Sequence, residues 1–167
     1  MLIGVISDTH GYYDPQIAAR FAGVDLIIHA GDVGSDAVRA ALARIAPLVA
    51  VRGNVDIGTL GSLPLIETVE AEEARIFVTH IAGLPERMAR DVRRAYEKMR
   101  PDAVIFGHSH QTQSEVADGG TLFFNPGAAG KQGFHTVRTI ALMEVHGRAI
   151  TAHHIELYPR YATHTGD

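Results

Sequence analysis

Five short polar segments hold the residues of this 167-residue chain that are best suited to act together: Asp8-Thr9-His10, Gly31-Asp32, Gly53-Asn54, Thr79-His80 and Gly107-His108-Ser109-His110. Each offers carboxylate, amide oxygen or imidazole nitrogen, the donor types of a divalent-metal site. In the first and last segments the spacing is i, i+2, which in extended chain points both side chains the same way. Asp8 with His10, and His108 with His110, are therefore expected to aim as pairs into one site. Gly31, Gly53 and Gly107 each precede a ligand-type residue, where glycine permits a sharp turn and close backbone approach. Asp-x-His alone is a weak signal, and Gly-Asp or Gly-Asn alone is almost none. All five, in this order and each after a strand-like run, form a strong one.

The elements that must position these segments alternate. Apolar runs at 2–6, 26–29 and 48–51 read as buried strands. Between them, helices are expected at 15–21, with Asp14 and Pro15 at its start, and at 36–44, capped by Ser35. Strand, polar loop, helix is an α/β rhythm, and in such sheets sites form at the carboxyl ends of strands. After Asn54 the rhythm changes. Paired strands are expected at 65–69 and 75–78, a helix at 85–99, a strand at 103–106, and hairpins at 114–117/121–124 and 139–145/149–157. The first half reads as parallel and the second as largely antiparallel. Two sheets packed face to face with helices outside accommodate both. Residues 1–158 are expected to form a single domain, with 159–167 a loose tail.

Composition narrows the chemistry. There is no cysteine, which excludes disulfides, thiolate catalysis and a Cys-type zinc site. Apolar residues make up 46%, ample for a core, and no run approaches the roughly 20 apolar residues of a membrane span. The net charge of −4 offers no global attraction for nucleic acid. The expected location is the cytoplasm. Composition points to no membrane and gives no signal for nucleic acid, leaves homo-oligomerisation open, and does not exclude a small phosphate ester, such as a nucleotide or another phosphodiester, as partner.

The ordered segments resemble the calcineurin-like metallophosphoesterase superfamily, whose pattern is Asp-x-His, Gly-Asp, Gly-Asn, a later His, and Gly-His-x-His. The resemblance spans roughly residues 1–145. Within that superfamily, the short length, Arg52-Gly53-Asn54-Val55-Asp56 and Asn125-Pro126-Gly127-Ala128 look like the small single-domain phosphodiesterases of bacteria and archaea. The resemblance implies a metallophosphoesterase-type α/β fold: a β-sandwich of two mixed sheets flanked by helices, in four layers αββα. It implies that Asp8, His10, Asp32 and His110 hold one ion, and that Asp32 bridges to a second completed by Asn54, His80 and His108. Those last three double as catalytic residues. It implies a metal-dependent phosphoesterase, chiefly a phosphodiesterase, in which a hydroxide between two divalent ions attacks phosphorus in line. The ions would be Mn first, with Fe, Ni, Co or Zn as alternatives. Two divalent ions set against two carboxylates and a hydroxide leave one positive charge, which a singly charged diester neutralises. The rival readings are a nuclease of the Mre11 type and a non-catalytic scaffold like the retromer subunit of this fold, whose metal site is degraded.

One departure stands out. Many of these phosphatases carry histidine after the Gly-Asn asparagine, and here the residue is Val55, which has no proton to give. Asp56 next to it is either a substitute acid or a structural turn residue. Thr79 and Ala128 are milder departures. Arg52 either meets a substrate phosphate or faces outward. His29, His135, His146, His153, His154 and His164 read as ordinary surface or core histidines. Arg87, Arg90, Arg93 and Arg94 read as a solvated helix face, and Met88 and Met99 as helix packing.

Overall fold

The computed structural model describes residues 1–159; the expected tail beyond Pro159, with His164, lies outside them. The chain runs β1 (Leu2–Ile6), α1 (Gln16–Arg20), β2 (Leu26–His29), α2 (Asp36–Ala43), β3 (Leu48–Ala50), β4 (Ile66–Ala71), β5 (Ala74–Thr79), α3 (Arg90–Met99), β6 (Ala103–Ile105), β7 (Thr112–Val116), β8 (Leu122–Pro126), β9 (Val137–His146) and β10 (Ala149–Pro159). The strands form two five-stranded mixed sheets, ordered β10-β9-β1-β2-β3 and β4-β5-β6-β8-β7.

Side-chain alternation builds three apolar layers. Ile3, Val5, Ile28 and Met143 of the first sheet meet Ile76, Val78, Ile105 and Phe124 of the second. On the outer face of the first sheet, Ile6 and Ile27 pack on Ile17 and Phe21 of the α1 region and on Val38 and Leu42 of α2. On the outer face of the second, Phe77, Val104 and Phe123 pack on Val92, Tyr96 and Met99 of α3. The order helix, sheet, sheet, helix follows from strands that are apolar on both faces. Among the described residues no helix is long and apolar enough to cross a membrane.

Two sequence expectations change. The helix expected at 85–99 is a short 3-10 turn at Pro85–Arg87, then extended backbone at Met88 and Ala89, then α3. Met88 is buried there among Phe77 and Phe106, and this anchor interrupts the helix. The second half is also less antiparallel than its hairpins suggest. The hairpins exist, but β5, β6 and β8 run parallel to one another. That direction is what brings the loops after β5 and β6 out at one edge; antiparallel neighbours would send them to opposite ends.

Candidate metal centre

The five polar segments leave the carboxyl ends of β1, β2, β3, β5 and β6. Two glycines let these loops touch. A Cβ on Gly53 would overlap the Asp32 carboxylate and backbone, and one on Gly107 would overlap Ser7 Oγ and Asp8 Oδ2. The backbone then turns in an unexpected way. Asp8, His10, Asp32, His108 and His110 all have positive φ, between 47° and 69°; among the described residues only Glu72 and Arg100 are other non-glycine cases. Left-handed backbone costs an ordinary residue roughly 1–3 kcal/mol and persists only where its surroundings impose it. The pairs Asp8/His10 and His108/His110 thus converge by left-handed turns, not by the alternation of extended chain. A strand-like continuation could not have curled both residues of a pair back over the sheet edge.

The structure brings all seven expected residues together. His10 Nε2 lies 3.1 Å from His110 Nε2, and Asp8 Oδ1 lies 3.2 Å from His110 Nε2 and 3.9 Å from His10 Nε2. Asp32 Oδ2 lies 3.3 Å from His80 Nε2 and 3.9 Å from His10 Nε2, placing it between two groups of donors. Asn54 Oδ1 lies 3.0 Å from both His80 Nε2 and His108 Nδ1. Asp8 and Asp32 are buried.

Around them a second set of bonds fixes which atoms point inward. Asp8 Oδ2 accepts from Ser7 Oγ at 2.6 Å and His108 N at 3.0 Å, leaving Oδ1 buried and without a hydrogen bond. Asp32 Oδ1 accepts from Val55 N. His80 Nδ1 faces the Ala30 carbonyl at 2.7 Å and must donate to it, so in the neutral ring it is Nε2 that presents the lone pair. Asn125 Nδ2 donates to Gly107 O and Ser109 Oγ, holding the last loop, while its Oδ1 accepts from Gly127 N.

Sequence reasoning passed over His29. It is fully buried, accepts from Gly31 N at Nδ1 and, with Nε2 as donor, meets Thr9 Oγ1 at 2.9 Å. Thr9 in turn donates to Val33 O. One neutral imidazole thereby ties the Asp8–His10 loop to the Gly31–Asp32 loop. The only signal was its position two residues before Gly31. Asp56 is settled as structural: its carboxylate accepts from the backbone N–H of Val33, Gly34 and Gly53. His135 sits beside the cluster, its ring centroid 5.3 Å from that of His110, but its Nε2 is directed to Gly130 O.

These contacts suit divalent cations. Two imidazole nitrogens face each other, and a buried carboxylate oxygen faces both and accepts no hydrogen bond. A cation among those lone pairs satisfies them together; without one the desolvated oxygen is costly. Burial acts to raise the Asp8 and Asp32 carboxyls. For Asp8, His110, Ser7 and the charge of His80 outweigh it, and for Asp32, His80 and Val55 N do; both stay below the ordinary carboxylate value and are ionised. Burial holds His10 below its usual value, favouring the neutral form that binds metal. His80 is the opposite case: burial lowers it, but Asp32 and Asp8 outweigh burial and raise it. Protons therefore compete for that nitrogen as pH falls.

Fold and donor set together define a metallophosphoesterase-like protein. The chain belongs to the calcineurin-like phosphoesterase superfamily, whose domain profile matches residues 1–148. It is 31% identical to the probable metallophosphoesterase YsnB of Bacillus subtilis, over 90% of this chain and 88% of that one. It is 39% identical to the probable metallophosphoesterase MJ0623 of Methanocaldococcus jannaschii over 66% of this chain, which spans 59% of that relative's length. Among solved structures, an archaeal phosphodiesterase aligns with TM-score 0.75 and 25% identity over 94% of this chain and 100% of its own. Chaetomium thermophilum Vps29 aligns with TM-score 0.79 and 26% identity over 95% and 88%.

Proposed function

We propose that the chain is a phosphodiesterase working at two divalent transition-metal ions, with Mn first and Fe, Ni, Co or Zn as alternatives. The observation that carries this reading is a chain of seven donors in mutual contact: Asp8, His10 and His110 at one end, with Asp8 Oδ1 buried and accepting no hydrogen bond, Asn54, His80 and His108 at the other, and Asp32 between. Asp8, His10 and His110 would hold one ion and Asn54, His80 and His108 the other, with Asp32 between them. Divalent ions bound there would supply Lewis acidity for a bound water and for the phosphate oxygens.

Two features favour diesters over monoesters. Two cavities are each bounded by a pair of the donors, one of about 540 Å³ against Asn54 and His80, the other of about 390 Å³ against His108 and His110. A diester has two substituents to place; a monoester has one. Among the described residues the only Arg or Lys lining either cavity is Arg52, whose Nη1 donates to Gly61 O. Dianionic monoesters are best held by free arginine forks, and a monoanionic diester needs less. Neither position 55 nor position 56 offers an acid to the leaving oxygen: Val55 has no proton to give, and the Asp56 carboxylate accepts from three backbone N–H groups. Good leaving groups are therefore favoured. The likeness to Vps29 makes an interaction scaffold the rival; the complete donor set supports the hydrolase.

The test is a metal-reconstituted assay. Metal-stripped protein is expected to lose roughly 10³-fold or more of its activity on bis(4-nitrophenyl) phosphate and to regain it with Mn²⁺. It is expected to turn over that diester faster than 4-nitrophenyl phosphate. Undiminished turnover in excess chelator, with no metal by elemental analysis, refutes the reading.

A further inference from the structure

The cavity against Asn54 and His80 changes character away from those donors. Beside Arg52, Gly53, Asp56 and Thr79, its remaining wall is the apolar set Leu65, Ile81, Ala89 and Val92. Leu65 is 59% exposed and Ile81 49% exposed, and Val55 beside Asn54 is 46% exposed. Large apolar side chains this exposed are few among the described residues; two of the six, Leu65 and Ile81, line this cavity, and Val55 follows the lining residue Asn54 in the chain. The polar groups of the same wall are turned into the protein. Thr79 Oγ1 donates to Leu65 O, Asp56 is bound by backbone N–H groups, and Arg52 Nη1 reaches Gly61 O.

Such a wall offers an incoming group contact area and very few hydrogen bonds. That is how a site recognises a flat, poorly hydrated surface, and it repels a hydroxylated one, whose hydrogen bonds to water would go unreplaced. The place is continuous with the donors that would hold the phosphate, so a group sitting here is joined to phosphorus through the ester oxygen, directly for an aryl arm and by way of the sugar for a nucleobase. About 540 Å³ is ample for one ring system.

We propose that this cavity is a substrate subsite taking one ester arm, and that the arm is an aromatic ring, aryl or nucleobase, stacked against Leu65 and Ile81. The substrate class is then an aromatic-bearing phosphodiester, and alkyl and sugar-only diesters are poor ligands. This rests on the phosphodiesterase reading and narrows it. Leu65 and Ile81 determine specificity without touching the metal-ligand atoms.

Two phosphonate monoanions of one charge separate the subsite from the chemistry: phenyl methylphosphonate, with a single aromatic arm, and ethyl methylphosphonate, with none. As competitive inhibitors of the Mn²⁺-loaded enzyme, phenyl is expected to bind about tenfold more tightly than ethyl, since an aromatic ring leaves water and ethyl contributes much less area. Leu65→Ser and Ile81→Ser are each expected to weaken the phenyl compound about three- to tenfold and leave the ethyl compound within twofold. Both side chains are exposed, so both variants are expected to fold as wild type. Methyl NMR supplies a readout independent of turnover: the resonances of Leu65, Ile81 and Val92 are expected to shift with phenyl and stay in place with ethyl. Active enzyme with equal phenyl and ethyl affinities, or variants that weaken both equally, overturns the subsite. Leu65 and Ile81 methyls unmoved by saturating phenyl phosphonate overturn it too. An enzyme inactive on every diester with every metal overturns the parent reading instead. Nucleoside 5′-(4-nitrophenyl) phosphates against 4-nitrophenyl phenyl phosphate then tell a nucleobase from a simple aryl arm.

Discussion

At the amino ends of β5, β6 and β8 lies a cavity of about 590 Å³ lined by Arg75, Arg100, Asp102 and Arg148, larger than either cavity at the donor cluster. At the carboxyl end of the same sheet lie His80, His108 and His110. Both regions are rich in ionisable groups, yet they differ in how those groups are satisfied. At the amino end Arg148 pairs with Asp102 at 2.5 Å, Arg75 N donates to the other Asp102 oxygen, and Arg75 Nη2 donates to Arg100 O. At the carboxyl end like meets like: imidazole nitrogens face each other, and Asp8 Oδ1 is buried and unbonded. Five of the residues involved are also held in left-handed backbone. Neither cavity size nor charge count marks a site here. Convergent lone pairs, maintained at a conformational cost, do.

The sharpest way to break this contrast is to mutate its two ends in parallel. Asp32→Ala is expected to lower diesterase activity by roughly 10³-fold and to release at least one ion per chain, because the carboxylate stands between both donor groups. Retention of activity and metal content in that variant would dissolve the distinction.

The next largest effect concerns how the donor end is held. Burial pushes the His29 imidazole down to about 4. Its folded value lies below the unfolded one, so the unfolded chain binds the extra proton. The stability tied to neutral His29 is fully present above about pH 6.5 and is lost as pH falls toward 4, by about 1.4 kcal/mol per pH unit. Gln can keep both hydrogen bonds without titrating. Between pH 7 and 5, metal-stripped wild type is expected to lose about 2 kcal/mol more than His29→Gln in urea unfolding. Parallel losses would show that His29 is not the buried neutral tie described here.

A smaller effect is expected at Val55. Because that side chain is half-exposed and only its backbone N–H is used, by Asp32 Oδ1, an imidazole has room there. Val55→His is expected to accelerate alkyl-leaving diesters roughly tenfold and nitrophenyl diesters much less, since only poor leaving groups need the proton. A leaving-group series with metal content checked in both proteins measures this; a uniform change across the series would count against it. The smallest effect is expected at the paired end. Arg148→Ala should leave turnover within twofold and stability within about 1 kcal/mol, the range for exposed ion pairs. A loss comparable to that of Asp32→Ala would mean that the amino-end cavity takes part in function.

Much of this was legible in the residue order. The strand runs, the Ser35 cap on α2, which accepts from Val38 N, and the two hairpins follow from local pattern. So does the order of the donor segments, because a loop leaving a strand carries its chemistry in consecutive residues. The direction of β6 and β8 was not legible, since pairing partners lie far apart in sequence. The break at Met88 was hidden as well: helical periodicity runs through it, and only burial against Phe77 and Phe106 reveals it.

The sequence by itself determined the chemistry available: two carboxylates, one amide and four imidazoles, each at a strand end, with no thiol to compete. Tertiary structure decided how they face. The i, i+2 pairs aim inward through left-handed turns, which follow from a loop crowded between two sheets and not from strand geometry. It decided that Asp56 binds backbone, that His29 ties two loops, and that Leu65 and Ile81 stand exposed beside the donors. Each of these is a relation between residues distant in the chain. Local propensity carries no record of it, because the energy that fixes it comes from contacts that exist only once the two sheets have packed.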